Sequence, residues 1–352
     1  MALKLTLAFS DNIRVRPLKD GTVKPENIDL EVVTDNIPIR FYRNLAYGPE
    51  FDASEMSISE TLLTRERNNT LGGGKWGWTP IPVFVSRGQF WANLYVNTTS
   101  GVKHFGDLRG KRIGVPDYVM TAALWFRVTL KELYGIEAWD NTWYNCRTKE
   151  LSHGGELGFH LEGHGVANGV THNWITVDQT PDVMLDRGEL DAIFPPNMSR
   201  GITAGDSTVL DRYGGTPMAG NPRIRRLVDD QGKAAISEFF RKTGCYQANH
   251  HVIVKNSVLR EHPWVAMELY KAFQKSKEVA YERAREAQSA YLYFEGNDWK
   301  EQAAVFGEDP YPMGIRAMRK TVERAIQGSL EQGLIRKPIK VEEFYCHTTL
   351  DT

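Results

Sequence analysis

Short runs that read as strands alternate with runs that read as helices along the first third of the chain, and this order restricts the fold more than any other feature. Leu3–Phe9 and Ile28–Thr34 read as strands. Between the second of these and the next extended run, residues 37–46 read as a helix, with Asp35 or Asn36 as N-cap and Pro38 in the first turn. Residues 51–56 (FDASEM) form a short strand, followed by a helix over 57–68 that opens on Ser57 or Ser59. After a glycine-rich loop at 72–77 come two extended runs, 81–86 and 91–98. Such alternation predicts βαβ units and a largely parallel sheet.

A second α/β block starts at Leu108. Residues 111–115 (KRIGV) predict a strand, and Thr121–Tyr134 a helix closed by Gly135 at the C′ position. Residues 147–173 are rich in Gly and His without a clear period, which predicts a long loop. A helix over 181–187 and a strand over 190–194 follow, then an irregular stretch, 195–222, that carries Asn197 and Arg200. Beyond it lie a helix over 234–243, a strand over 251–254, a long amphipathic helix over 262–287, and a helical end over 299–333 broken at 309–312.

The length of 352 residues suits two lobes rather than one core. With 43 basic and 44 acidic side chains, the chain lacks the basic excess of a nucleic-acid binder. No run approaches the ~20 apolar residues that span a bilayer. Lys4, Thr6 and Asp11 interrupt the N-terminal apolar stretch, which therefore reads as a strand of the mature fold rather than a secretory signal. Cys146, Cys245 and Cys346 are odd in number and widely spaced, so no disulfide framework is implied and a reducing cytoplasm fits. P-loop and nucleophile-elbow patterns are absent, and Gly72–Gly74 lacks the spacing of a dinucleotide fingerprint.

From Lys103 to Tyr118 the sequence KHFGDLRGKRIGVPDY resembles the signature of nitrate, sulfonate and thiamine-precursor solute-binding proteins. More specifically, the chain is similar to the 4,5-dihydroxyphthalate decarboxylase family. The blocks that carry the likeness are 51–63 (FDASEMSISETLL), 81–90 (IPVFVSRGQF), 114–136, 184–194 (MLDRGELDAIF), 249–273 and 306–334. They are collinear and span nearly the whole chain. The resemblance implies an α/β chain of two lobes with a type II periplasmic-binding-protein-like fold. Its sheets would be mixed and mostly parallel, with a C-terminal helical segment. Residues 1–98 with 251–352 are expected to form one lobe, 99–250 the other, and the ligand cleft lies between them. It further implies a carboxy-lyase that needs no cofactor, and a homo-oligomer. Two departures, Phe90-Trp91-Ala92 in place of an Arg-His pair and the prolines of FPPNMSRG, fall where ligand is expected, so the exact substrate stays open.

Loss of CO2 from an electron-rich arene needs an acid for the ring carbon, an acceptor for the phenol, and cationic or helix N-terminal groups for a retained carboxylate. Strand alternation sends only one of His250 and His251 toward a cleft, and the family's Asn-His pattern favours His250 as the acid. Glu55, in an otherwise apolar strand end, is the candidate to accept a phenolic proton or orient His250. Ser57, Ser59 and Thr121 open helices that can aim N–H groups at an anion. Arg14, Arg16 and Arg87 are candidate carboxylate clamps, Asn197 a further ligand contact, and Tyr118, Trp91 and Trp125 candidate walls for an aromatic ring. His153, His160, His164 and His172 suggest a metal, but the surrounding glycines and the lack of a recognised motif favour a loop, and no metal is predicted. A solute-binding protein for a small aromatic or sulfonated anion is the alternative reading.

Overall fold

The computed structural model describes residues 2–165, 169–195, 210–291 and 297–352. Its strands, in chain order, are β1 (Leu3–Phe9), β2 (Ile28–Thr34), β3 (Ala53–Ser57), β4 (Trp78–Ser86), β5 (Tyr95–Asn97) and β6 (Arg112–Val115). They continue with β7 (Thr142–Asn145), β8 (Thr171–Trp174), β9 (Ala192–Ile193), β10 (Ile224–Arg226) and β11 (His250–Lys255). One sheet has the order β2-β1-β3-β11-β4, the other β10-β5-β9-β6-β7-β8. Within them β1 pairs parallel with β2 and β3, and β6 pairs parallel with β7 and β9. The return strand β11 is antiparallel to both its neighbours, β3 and β4.

The chain thus changes sheet between β4 and β5 and comes back between β10 and β11. The expected boundary at residue 98 lies past the first of these points, because β5 pairs with β9 and β10 in the second sheet. The extended run expected over 91–98 is broken by a 3-10 turn, Phe90–Asn93, which redirects the chain before β5.

One apolar core runs beneath both sheets. Leu62 and Leu63 from helix Ile58–Arg67, Leu124 and Trp125 from helix Thr121–Tyr134, and Val322 and Ile326 from helix Ile315–Glu331 belong to it. Each such side chain contributes roughly 1.5–3 kcal/mol when fully buried. The last two helices approach closely at Gly328, where an added Cβ would lie 2.8 Å from Val128 Cγ2. Trp125 adds a hydrogen bond from Nε1 to the Ala248 carbonyl (2.8 Å), which fixes the chain just before β11.

Sequence periodicity located most elements within a residue or two, with informative exceptions. The expected loop 147–173 holds a Ser152-capped helical turn, His153–Glu156, and strand β8. The long helix begins at Val265 rather than 262, after a separate short helix, Asn256–Glu261. Pro263 accounts for this break, since it holds His262 out of helical geometry (φ −135°, ψ 68°). Asn36 caps helix Ile37–Tyr47, and Ser57 caps helix Ile58–Arg67, each accepting a backbone N–H three residues on.

Candidate active site

Strands β3 and β11 bring Glu55 and His250 together. In their antiparallel register His250 lies opposite Ser57 and Val252 opposite Glu55. Glu55 and His250 are therefore diagonal neighbours on one face, a separation that long side chains span. His250 Nδ1 stands 2.7 Å from Glu55 Oε1. The other carboxylate oxygen accepts the Ser10 N–H (3.1 Å) and the Ser10 hydroxyl (2.8 Å), and Arg40 Nη2 lies 3.8 Å away. Burial pushes the Glu55 carboxyl upward, but His250, Ser10 and Arg40 outweigh it and hold the group down at about 2. An ionised acceptor on Oε1 places the imidazole proton at Nδ1. Nε2 has no hydrogen-bond partner among the described residues, and the imidazole side chain is 17% exposed whereas Glu55 is fully buried.

A cavity of about 370 Å³ lies between the two sheets. Gly114 within β6 and Pro116 just after it, Cys146 and Arg147 after β7, and Phe194 after β9 line it from the second sheet. These are carboxyl ends of parallel strands, where α/β sheets bind ligands. Pro38 and Phe90 line it from the side of the first sheet. Phe41, one helical turn on from Pro38, packs edge-on against His250 with ring centroids 5.0 Å apart. Burial raises the Cys146 thiol far above its ordinary value, so this cavity holds no thiolate nucleophile at Cys146.

A second carboxylate–imidazole pair, which the sequence reading missed, stands deeper. His153 Nδ1 is 2.7 Å from Glu60 Oε1, and its Nε2 is 3.1 Å from the Pro38 carbonyl. Its backbone N–H donates to Asp117 Oδ2 at 2.7 Å. Both ring nitrogens are occupied and the residue is buried, so this histidine ties the sheets together and has no nitrogen left for a ligand. The signal was only partial: Glu60 three residues after a capping Ser57 is visible, but its partner 93 positions away is not.

The remaining candidates divide sharply. Ser57 Oγ and Thr121 Oγ1 bond each other at 2.8 Å, and Thr121 Oγ1 also accepts the Ser59 N–H at 3.0 Å. The two helix starts face one another, and their hydroxyls are satisfied by each other. Arg87 donates to the Pro310 carbonyl and to the Pro312 carbonyl (2.9 Å), and stacks over Tyr246 at 4.5 Å; burial lowers its guanidinium to about 10. Arg14 donates to the Val85 carbonyl (2.8 Å) and lies 3.7 Å over the Tyr311 ring, while Arg16 pairs with Asp11 at the surface. Tyr118 is buried under Arg127, 3.7 Å from its ring centroid, and donates to the Gln332 carbonyl at 3.2 Å. Trp91 and Trp125 are core residues. None of Arg14, Arg87, Tyr118, Glu55 and His250 is itself among the residues that line the cavity between the sheets. Asn197 and Arg200 lie outside the described residues.

Of the four clustered histidines, His153 is bound as above, and His172 is packed edge-on against Trp174 with burial lowering its imidazole to about 3. Among the described residues no three His, Cys, Asp or Glu side chains converge as a metal site. No helix among them is long and apolar enough to cross a membrane.

No family model matches the chain. A 4,5-dihydroxyphthalate decarboxylase of Comamonas testosteroni is 26% identical over 353 aligned positions, covering 99% of this chain and 98% of that protein. The chain is similar, end to end, to a 4,5-dihydroxyphthalate decarboxylase. A second such decarboxylase, from Pseudomonas putida, is 29% identical over 60% of this chain and 77% of its own length. Among solved structures, the periplasmic aliphatic sulphonate-binding protein of Escherichia coli matches at a TM-score of 0.51 and 11% identity over the whole of both chains. The ligand-binding component of an import system from Staphylococcus aureus matches at 0.52 and 10% identity, over 99% of this chain and 98% of that one. These likenesses establish the fold: a type II periplasmic-binding-protein-like architecture of two mixed α/β sheets.

Proposed function

We propose that the protein is a decarboxylase of a hydroxylated aromatic carboxylic acid, and that His250 delivers the proton that replaces CO2. One observation carries the reading: His250 is held at Nδ1 by the buried Glu55 carboxylate, its Nε2 has no hydrogen-bond partner among the described residues, and its ring packs against Phe41, one helical turn from the cavity-lining Pro38. The full-length likeness to a 4,5-dihydroxyphthalate decarboxylase supports it.

In this scheme a π electron pair of the ring takes the proton from Nε2 at the carbon that bears the carboxylate. The bond between that carbon and the carboxylate carbon then breaks, its electron pair restores the aromatic ring, and CO2 departs. A hydroxyl para to the site feeds electron density to the ring as protonation proceeds. The Glu55 charge balances the imidazolium before the transfer, in the manner of a carboxylate that orients a general acid. The apolar walls provided by Pro38, Phe90, Pro116 and Phe194 exclude water and favour charge loss, since carboxylate becomes neutral CO2. No bound cofactor is part of this scheme. The lobes of this reading meet at the two crossovers, and the enzyme is expected in the cytoplasm as a homo-oligomer.

The test is CO2 release from a panel of hydroxyphthalates and hydroxybenzoates, with and without EDTA. Turnover of a hydroxylated member that survives EDTA supports the reading. Tight binding of the panel without any CO2 would turn the protein into a solute receptor.

A further inference from the structure

We propose that Arg147 anchors the carboxylate that the substrate keeps, so that the cleft selects aromatic acids with a second carboxylate beside the one removed. This rests on the decarboxylase reading and names a residue for it.

Three charged side chains line the cavity: Arg147, Arg212 and Asp211. Two guanidiniums against one carboxylate suit an anionic ligand. Arg212 is spoken for by the Gln179 and Val177 carbonyls. Arg147 is different. Asp211 Oδ1 takes one edge of its guanidinium, at 2.9 Å from Nε and 2.8 Å from Nη2. Its Nη1 has Asp117 Oδ2 only at 3.9 Å, beyond hydrogen-bonding reach. Asp117 already accepts the N–H groups of His153 and Gly154, so its oxygens are engaged elsewhere. The guanidinium is thus oriented on one edge and short of a partner on the other, in a side chain only 5% exposed. Burial works against its charge, but Asp211 and Asp117 outweigh burial and keep it protonated.

A planar carboxylate is the ligand that such an edge recognises. Arg147 lines the cavity from the second sheet, while His250 on the first packs against Phe41, one helical turn from the lining Pro38, so a ring that spans the distance offers one carboxylate to Arg147 and loses the other at His250. A monocarboxylate ring can satisfy only one of the two. Arg147 stands two residues beyond β7, a strand that sequence periodicity did not reveal.

The experiment compares the wild type with Arg147→Gln and Arg147→Lys. Lysine keeps a positive charge between Asp117 and Asp211, and so keeps the fold, but lacks the planar fork. With 4,5-dihydroxyphthalate as substrate, KM should rise at least 30-fold in the glutamine variant and about tenfold in the lysine variant, with kcat within about threefold. Binding of 3,4-dihydroxybenzoate, the same ring after loss of one carboxyl, should weaken in parallel by calorimetry, and binding of catechol should not change. Unchanged KM and unchanged 3,4-dihydroxybenzoate affinity in both variants would overturn the assignment. Because 3,4-dihydroxybenzoate binding does not depend on turnover, loss of its binding without any CO2 release in the wild type would uphold the anchor while the decarboxylase reading failed.

Discussion

Glu55 and His250 meet diagonally across an antiparallel ladder, two positions out of direct register, with 2.7 Å between Oε1 and Nδ1. The strand between β3 and β4 is what makes this contact possible. β11 arrives from the second sheet, and its first residue is the histidine. An acid group is thereby placed where the chain crosses between sheets, and its orienting carboxylate sits inside the core of one of them.

That carboxylate carries a pH signature. Glu55 is held at about 2, below its ordinary value of 4.5. A depressed carboxyl stabilises the fold above pH 4.5, and the contribution disappears as pH falls toward 2. Glu55→Gln should therefore unfold with a shallower dependence of stability on pH between 4.5 and 2, measured by urea titration at stepped pH. Its turnover should fall roughly 10- to 100-fold, as befits a residue that positions the acid.

His251, the neighbour on the opposite face, should behave as a structural residue. It lies between Thr61 Oγ1 (3.0 Å) and Tyr345 Oη (3.1 Å), and burial lowers its imidazole to about 3. A histidine kept neutral by the fold costs stability once the unfolded chain can protonate it, so this loss begins as pH drops through 6.5 and continues toward 3. His251→Gln should flatten stability over that window. kcat at neutral pH should stay within a few-fold of the wild type.

Ser57 and Thr121 join the starts of two helices that rise from different sheets. Ser57→Ala and Thr121→Val should each cost about 1–2 kcal/mol, because each strips a cap or leaves a buried N–H without its acceptor. A double-mutant cycle by denaturant unfolding should show coupling of about 1 kcal/mol. Additive losses would mean that the two hydroxyls do not act together.

Arg87 offers a contrast with the proposed anchor. Its two terminal nitrogens serve the Pro310 and Pro312 carbonyls, so Arg87→Ala should destabilise the protein by about 3 kcal/mol, given charged hydrogen bonds of ~1.5–3 kcal/mol each. KM should not move. A raised KM with unchanged stability would return Arg87 to the substrate.

Local chemistry made much of this legible in the sequence. Asn36 and Ser57 announce their helices because capping is a contact over three residues, and Gly135 closes its helix with a left-handed turn at φ 64°. Alternation along a strand puts His250 and His251 on opposite faces, and the two contact different partners. What stayed hidden is non-local. Arg14, Arg87 and Tyr118 have the right chemistry to hold a ring acid, yet backbone carbonyls far along the chain occupy all three. The same blindness concealed His153 and Glu60, and strand β7 (TWYN), too short and too polar to show a period. Pairing across nearly 200 residues, as between Glu55 and His250, could be proposed from residue types, but only the ladder register brings the atoms together.

The most direct test of the account is single-turnover CO2 release from 4,5-dihydroxyphthalate by the wild type and by His250→Gln, with substrate binding measured alongside. The account predicts that the variant binds substrate within a few-fold of the wild type and releases CO2 at least 100-fold more slowly, the scale of a lost general acid. Release within a few-fold of the wild-type rate would contradict it, and would place the proton donor elsewhere in the cleft.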